Sequence, residues 1–196
     1  MTKSHWRILL CLPLLLLGGE FFLHLVQIIT QRIAYPFELE WMEGGVLHQV
    51  LRVVHHQPLY GDLSLDFIPA LYMPLYYAFS AMSVAVFGEG FFALRFVSVV
   101  ALAGIFFLSY VITLRITASR LFALLAVLFC AVMYRHSSFW FDLARVDTLW
   151  VMWLLLAWWC LLCWRDKPSL GGAFLCAFVS VLAFFTKQAS FFYCLL

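Results

Sequence analysis

The stretch "FIPALYMPLYYAFSAMSVAVFG", Phe67–Gly88, decides the fold. It is long and apolar enough to cross a hydrocarbon core, which takes about 20 residues of helix. Its first turns are unsuited to that. Pro69 and Pro74 each remove a backbone donor and crowd the preceding turn. Tyr72, Tyr76 and Tyr77 gather at the same end, as aromatic rings do at a lipid–water interface. If the stretch crosses, the chain has six passages. If it lies on the membrane face or dips into it, the chain has five, and everything on either side of it shares one compartment.

The rest of the chain is written for a membrane. Hydrophobic residues make up 66% and charged residues 11%, with 21 Phe and 8 Trp, where a soluble domain carries roughly half and a quarter. Further apolar runs cover 8–29, 91–114, 118–134, 148–164 and 170–186. They are continuous and do not alternate with polar residues, which predicts an all-α polytopic bundle and not a β-barrel. The net charge of +2 comes from basic residues scattered singly, mostly at the ends of apolar runs. That is a snorkelling pattern and gives no sign of nucleic-acid binding.

The start, "MTKSHWRILLCLPLLLLGG", imitates a signal peptide. The apolar run continues through "FFLHLVQII" without a small-x-small cleavage pattern, so it reads as a retained first span. Cys160 and Cys163 form a C-x-x-C inside "WWCLLCW", with no acid or histidine beside it, and read as small apolar residues. The chain stops in "KQASFFYCLL" as another apolar run begins, the expected appearance of the front part of a longer protein.

The five-passage arrangement has a consequence for charge. It gathers Glu38, Glu40, Glu43, Asp62, Asp66, Glu89, Asp142 and Asp147 on one side and leaves "RITASR" and "RDKPS" as short loops on the other. Counting Lys and Arg leaves the two arrangements equal. Acids hardly influence orientation, so such a gathering calls for a functional cause.

In "VLHQVLRVVHHQ", Leu47, Val50, Leu51 and Val54 fall on one helical face, with His48, Arg52 and His55 on another. This is an amphipathic helix suited to a membrane surface, ended by "QPLYGD". The histidines read as its wetted face and not as metal ligands. Gly44 and Gly45 lack the strand–loop–helix setting of a phosphate loop and suit close backbone approach instead. Glu20 lies near the middle of the first span with His24 one turn later, a pair expected to face other helices.

"ELEWMEGGVLHQVLRVVHHQPLY", followed by "PLYYAF", "FFALRFVS" and "FDLARVD", resembles the amino-terminal half of bacterial membrane glycosyltransferases of the family 39 type. These are GT-C fold relatives of the protein O-mannosyltransferases and of the lipid A aminoarabinose transferase. The similarity runs from about Ile8 to Lys187, and the order and spacing of short motifs carry it. The resemblance implies a GT-C type bundle of five spans plus outer juxtamembrane helices, at a bacterial inner membrane, with the carboxy-terminal half absent. It implies transfer of a sugar from a polyprenyl-phosphate donor to a lipid, glycan or protein acceptor at the outer face.

By the same resemblance Glu43 fits the acid at the start of the first juxtamembrane helix, with Glu40 as the neighbour that replaces it. Asp147 of "ARVD" fits a second acid, and Lys187 of "FTKQA" a lysine after the fifth span. Tyr76 belongs to the matching "MPLYY" segment and, with Arg145 and Lys187, is a candidate substrate-binding residue. Tyr72 and Met73 stand where some relatives carry a lysine, which removes one donor contact.

The chemistry needs a base within reach of the acceptor hydroxyl and positive charge near the departing phosphate. Glu43, Asp147 and Glu40 are the candidate bases; Arg145 and Lys187 are the candidate cations. No residue set is assigned to a metal, and whether a divalent cation takes part is open at this point. A transporter subunit would place ionisable residues along several spans, and only Glu20 and His24 lie deep in one. A non-catalytic membrane protein or accessory subunit is the competing reading.

Overall fold

The computed structural model describes residues 3–64 and 68–194, with side chains from residue 11 to residue 192. Asp66, one of the gathered acids, lies outside the described residues. The described chain is helical: α1 (Lys3–Arg32), α2 (Trp41–Val54), α3 (Leu75–Phe87), α4 (Phe91–Thr117), α5 (Arg120–His136), α6 (Val146–Asp166), α7 (Leu170–Thr186) and the short α8 (Ser190–Cys194). Three of these helices are long and apolar enough to cross a membrane, over Cys11–Arg32, Phe91–Thr117 and Val146–Asp166. The helices α5 and α7 have 17 residues each.

The long elements stand side by side in the order α1, α5, α4, α6, α7. Short turns at 118–119 and 167–169 fold α5 back along α4 and α7 back along α6. The helices α4 and α6 run parallel: Ser98 at the start of α4 meets the Arg145 carbonyl, and Arg115 near its end meets Asp166. The helices α1 and α5 also run parallel, since Gly18 abuts Leu128 and Arg32 reaches Tyr134. Gly18 is required there, because a Cβ would come within 2.8 Å of the Leu128 Cβ. Between spans, contact replaces the hydrophobic effect as the source of cohesion. Leu25, Leu102, Ala131 and Tyr134 pack between α1, α4 and α5, and Leu108, Ile112 and Leu162 between α4 and α6.

The described part of the Phe67–Gly88 stretch, residues 68–88, does not form one long helix. Residues 68–74 are irregular, and α3 begins only after Pro74, whose fixed backbone suits a helix start. Its 13 residues give a rod of about 20 Å, short of a hydrocarbon core of about 30 Å. Both of its ends rest on the first two turns of α4. Tyr76 reaches Leu94 and Ser98, Ser83 reaches the Ala93 carbonyl, and Phe87 packs on Phe92 and Phe96. The helix therefore stays at one end of the bundle.

Together with α2 it forms a cap on that end, with Val50, Tyr76, Leu94 and Ala144 fully buried or nearly so at the centre.

The amphipathic helix starts earlier than its apolar spacing indicated, at Trp41, so Glu43 falls inside its first turn. Glu20 and His24 do approach each other, at 3.8 Å, but the expectation that other helices cover them fails. Their side chains are 66% and 63% exposed, because the α1 face that meets α5 carries Gly18 and Leu25 instead.

Candidate functional site

The end of the bundle capped by α2 and α3 holds two ionic assemblies side by side. The inner one is centred on Glu43. Its Oε1 accepts from Arg95 Nε at 2.9 Å and from the Ala144 N–H at 2.8 Å. Its Oε2 accepts from Arg95 Nη2 and from the Leu39 N–H, each at 2.7 Å. A carboxylate offers about four lone-pair directions, and all are filled. Arg95 spends its remaining donors on the carbonyls of Arg32, Tyr35 and Phe37. Both side chains are fully buried. Burial alone would raise the Glu43 carboxyl, but the Arg95 guanidinium and the two N–H donors outweigh it and hold the group below its usual range.

The pair thus fastens the end of α1, the 33–40 loop, α2, α4 and the lead-in to α6 at one point. Gly44, the next residue of α2, faces the Glu38 carboxylate so closely that a Cβ would collide with it. The close approach expected at the glycine pair is met by the chain's own loop.

The outer assembly is a chain of alternating charge. Glu40 Oε2 lies 3.1 Å from Arg145 Nη1, Arg145 Nε 3.0 Å from Asp147 Oδ2, and Lys187 Nζ 2.7 Å from Asp147 Oδ1. Helix ends position all four. Glu40 is the N-cap of α2 and accepts from the Met42 N–H at 3.1 Å. Arg145 is the N-cap residue of α6, Asp147 lies in its first turn, and Lys187 follows the last residue of α7. Asp147 does not cap its helix: its carboxylate is bonded to Arg145 and Lys187, whereas the Glu40 carboxylate caps α2.

Aromatic rings complete the setting. The Arg145 guanidinium sits 4.0 Å from the Trp140 ring centre, and Lys187 Nζ lies 4.9 Å from Trp150 and 5.5 Å from Tyr72. Burial works against the Arg145 cation, and Asp147 and Glu40 more than offset it, so its proton is held more tightly than usual. The Asp147 and Lys187 side chains keep 24% and 22% of their exposure, against none for Glu43. These two therefore face outward where a ligand can reach them.

The loop 137–145 delivers Trp140 through two successive left-handed residues, Ser138 (φ +54°) and Phe139 (φ +60°). A phenylalanine there is rare and strained. The bend is held by Arg32, which donates to the Phe139 carbonyl and to the Tyr134 hydroxyl. Asp142 accepts from the same hydroxyl at 2.7 Å and lies 3.4 Å from Arg32 Nε. Burial pushes the Asp142 carboxyl up, Tyr134 and Arg32 recover only part of that, and the Glu43 charge adds to the rise.

Four of the candidates, Glu40, Arg145, Asp147 and Lys187, therefore share one assembly. Glu43 joins it through backbone: its carboxylate accepts from the Ala144 and Leu39 N–H groups, and its own N–H donates to the Glu40 carbonyl at 3.0 Å. Tyr76 stands apart: it is fully buried, its hydroxyl set against the Leu94 carbonyl and Ser98 Oγ at 3.2 Å, and burial pushes its pKa up, so the phenol keeps its proton. His48 is exposed and His55 pairs with Glu89 at 3.3 Å.

Among the described residues no three His, Cys, Asp or Glu side chains converge. Glu40 and Asp147 already hold Arg145 between them, so the donor set does not fit a divalent cation. Arg95 was legible in principle, as a lone arginine a turn into the apolar run "FFALRFVS". Arg32 carried no such signal, since its partners Tyr134 and Asp142 lie about 100 residues along the chain.

Comparison with family models, curated proteins and solved structures found no match to this chain.

Proposed function

We propose that this chain forms the reacting end of a GT-C type membrane glycosyltransferase, crossing the membrane five times through α1, α4, α5, α6 and α7. The reading rests on the likeness of its motifs to the family 39 type. The observation that carries it is the Glu40–Arg145–Asp147–Lys187 chain, half-open at one end of an apolar bundle. The neighbouring Glu43–Arg95 pair is fully closed. This assembly leaves a carboxylate and an ammonium partly exposed.

In the proposed reaction a polyprenyl-phosphate-linked sugar lies with its phosphate against Arg145 and Lys187. Asp147, released from Lys187 as the phosphate takes that cation, accepts the proton of an acceptor hydroxyl. The hydroxyl oxygen bonds to the anomeric carbon as the bond from that carbon to the phosphate oxygen breaks. The electron pair stays on the polyprenyl phosphate, where the two cations stabilise it. Glu40 holds Arg145 in place. Glu43, with every acceptor position filled, has a positioning role and does not serve as base.

The mutual satisfaction of the four charges favours a second, non-catalytic reading, in which they only tie α2, α6 and α7 together. The experiment that separates the two follows release of polyprenyl phosphate from donor lipids carrying different sugars, with the chain in bilayer nanodiscs. Release that falls by about 10²-fold or more in Asp147→Asn and Lys187→Met, with folding intact, supports transfer. Absence of both donor binding and release in the wild-type chain supports the tie.

A further inference from the structure

A cavity of about 690 Å³ opens between α2 and the irregular segment 68–72. It borders the charged chain through two wall residues, Met42, whose Sδ accepts from Arg145 Nη1 at 3.3 Å, and Tyr72, whose ring faces Lys187. Its size is that of a small-molecule site. Trp41, Gly45, His48, Ile68, Leu71 and Tyr77 supply much of its wall, and among the described residues no Asp, Glu, Lys or Arg lines it. Among those residues a charged headgroup would meet no carboxylate, ammonium or guanidinium, only the His48 imidazole.

The segment 68–72 is pinned by side-chain donors. Gln49 Nε2 donates to the Ile68 carbonyl at 2.5 Å, Gln188 Nε2 to Leu71 at 3.3 Å, and the Tyr60 hydroxyl to Tyr72 at 2.9 Å. Those carbonyls are engaged. The bond to Ile68 also fixes the Gln49 amide, since a flipped amide would set oxygen against oxygen. Its other end, Oε1, is buried without a hydrogen-bond partner, on a residue that is 6% exposed and lines the cavity. Buried polar groups are nearly always satisfied, so an orphaned acceptor at a cavity wall marks a missing donor. The rim consists of apolar side chains left in the open, with Trp41 80%, Ile68 75% and Leu71 67% exposed.

We propose that this cavity binds an uncharged amphiphile drawn from the bilayer, with an apolar chain or ring along the walls and a single O–H or N–H donated to Gln49 Oε1. The site adjoins the phosphate contacts proposed above, with Met42 and Tyr72 between the two, but its own contacts are different ones, and it stands whether or not the chain transfers sugars. The walls select for apolar bulk, the lack of a carboxylate, ammonium or guanidinium among the described lining residues disfavours charged heads, and the orphaned acceptor selects for a donor over an ether or ester.

The test uses the full chain in nanodiscs with two photoreactive probes, a diazirine-bearing long-chain primary alcohol and its methyl ether, followed by peptide mapping. The alcohol should label the 41–49 and 68–77 peptides about fivefold more than the ether, the ratio expected of one net hydrogen bond. Gln49→Met should bring the alcohol down to the ether's level. Gly45→Leu fills the cavity from a position where a Cβ meets nothing within 4 Å, and should abolish labelling by both. Equal labelling by alcohol and ether in the wild-type chain overturns the proposal, as does labelling that Gly45→Leu leaves unchanged. Should Gln49→Met unfold, the probe ratio and the glycine variant decide alone.

Discussion

Glu43 and Arg95 meet in a two-pronged ion pair, Oε1 to Nε at 2.9 Å and Oε2 to Nη2 at 2.7 Å, with both side chains fully buried. Each answers a charge that could not otherwise be there. Removing one partner leaves the other buried and unpaired, which typically costs about 3–5 kcal/mol. Arg95→Met and Glu43→Ala should both lower the unfolding midpoint of the purified chain sharply. Arg95→Lys should rescue little, because an ammonium cannot span two carboxylate oxygens and three carbonyls at once. A midpoint within a degree or two of wild type in Arg95→Met would mean that the pair does not hold this end together.

The same geometry separates two kinds of carboxylate. Glu43→Gln should reduce any transfer only as far as it reduces the folded fraction. Glu40→Gln and Asp147→Asn should reduce transfer per folded molecule, Asp147→Asn by about 10²–10⁴-fold if it is the base. Activity normalised to folded protein distinguishes them. Equal losses after normalisation would return Glu43 to the reacting group.

Stability should respond to pH through two buried acids of opposite sign. The Glu43 carboxyl is depressed below 4.5, so its contribution is fully present above that value and fades as pH falls through the depressed pKa. The Asp142 carboxyl is raised above 3.8, so the native state holds its proton longer than the unfolded chain. Its contribution is greatest at low pH and declines as pH rises through the raised pKa. Asp142→Asn should flatten that decline, and Glu43→Gln should remove the acid-side loss. Unfolding midpoints measured from pH 3 upward would show both.

The resting place of α3 makes a prediction about sidedness. With five passages, an impermeant thiol reagent applied to intact cells should label cysteines at Glu38, Glu89 and His136 and spare those at Thr117 and Lys167. Labelling at 38 and 117 with protection at 89 would put Leu75–Phe87 across the membrane and separate the α2 end from the α6 end.

Two adjacent glycines offer a test of packing. A Cβ at Gly18 would come within 2.8 Å of the Leu128 Cβ, whereas one at Gly19 meets nothing within 4 Å. Gly18→Ala should destabilise by about 1–3 kcal/mol by forcing α1 from α5. Gly19→Ala should be neutral within about 0.5 kcal/mol. Matching midpoints would mean that α1 and α5 are not in contact there.

The chain by itself determined that this is a helical membrane protein and where its long helices run, since apolar runs of spanning length admit few other structures. The run 170–186 coincides with α7, and 91–114 falls three residues short of the end of α4. The resemblance of its short motifs to the family 39 type is what singled out Glu40, Asp147 and Lys187, with Arg145 beside them in "ARVD".

What only the tertiary structure decided is which of those charges remain available. Glu43 and Asp147 look alike in the sequence. One is sealed by an arginine 52 residues away and the other left half-open. That difference depends on which donors the folded helices bring within 3 Å, and no local spacing encodes it. The same holds for Phe67–Gly88. Its composition permits a span, and contacts from both ends of α3 to one short piece of α4 hold that helix at one end of the bundle.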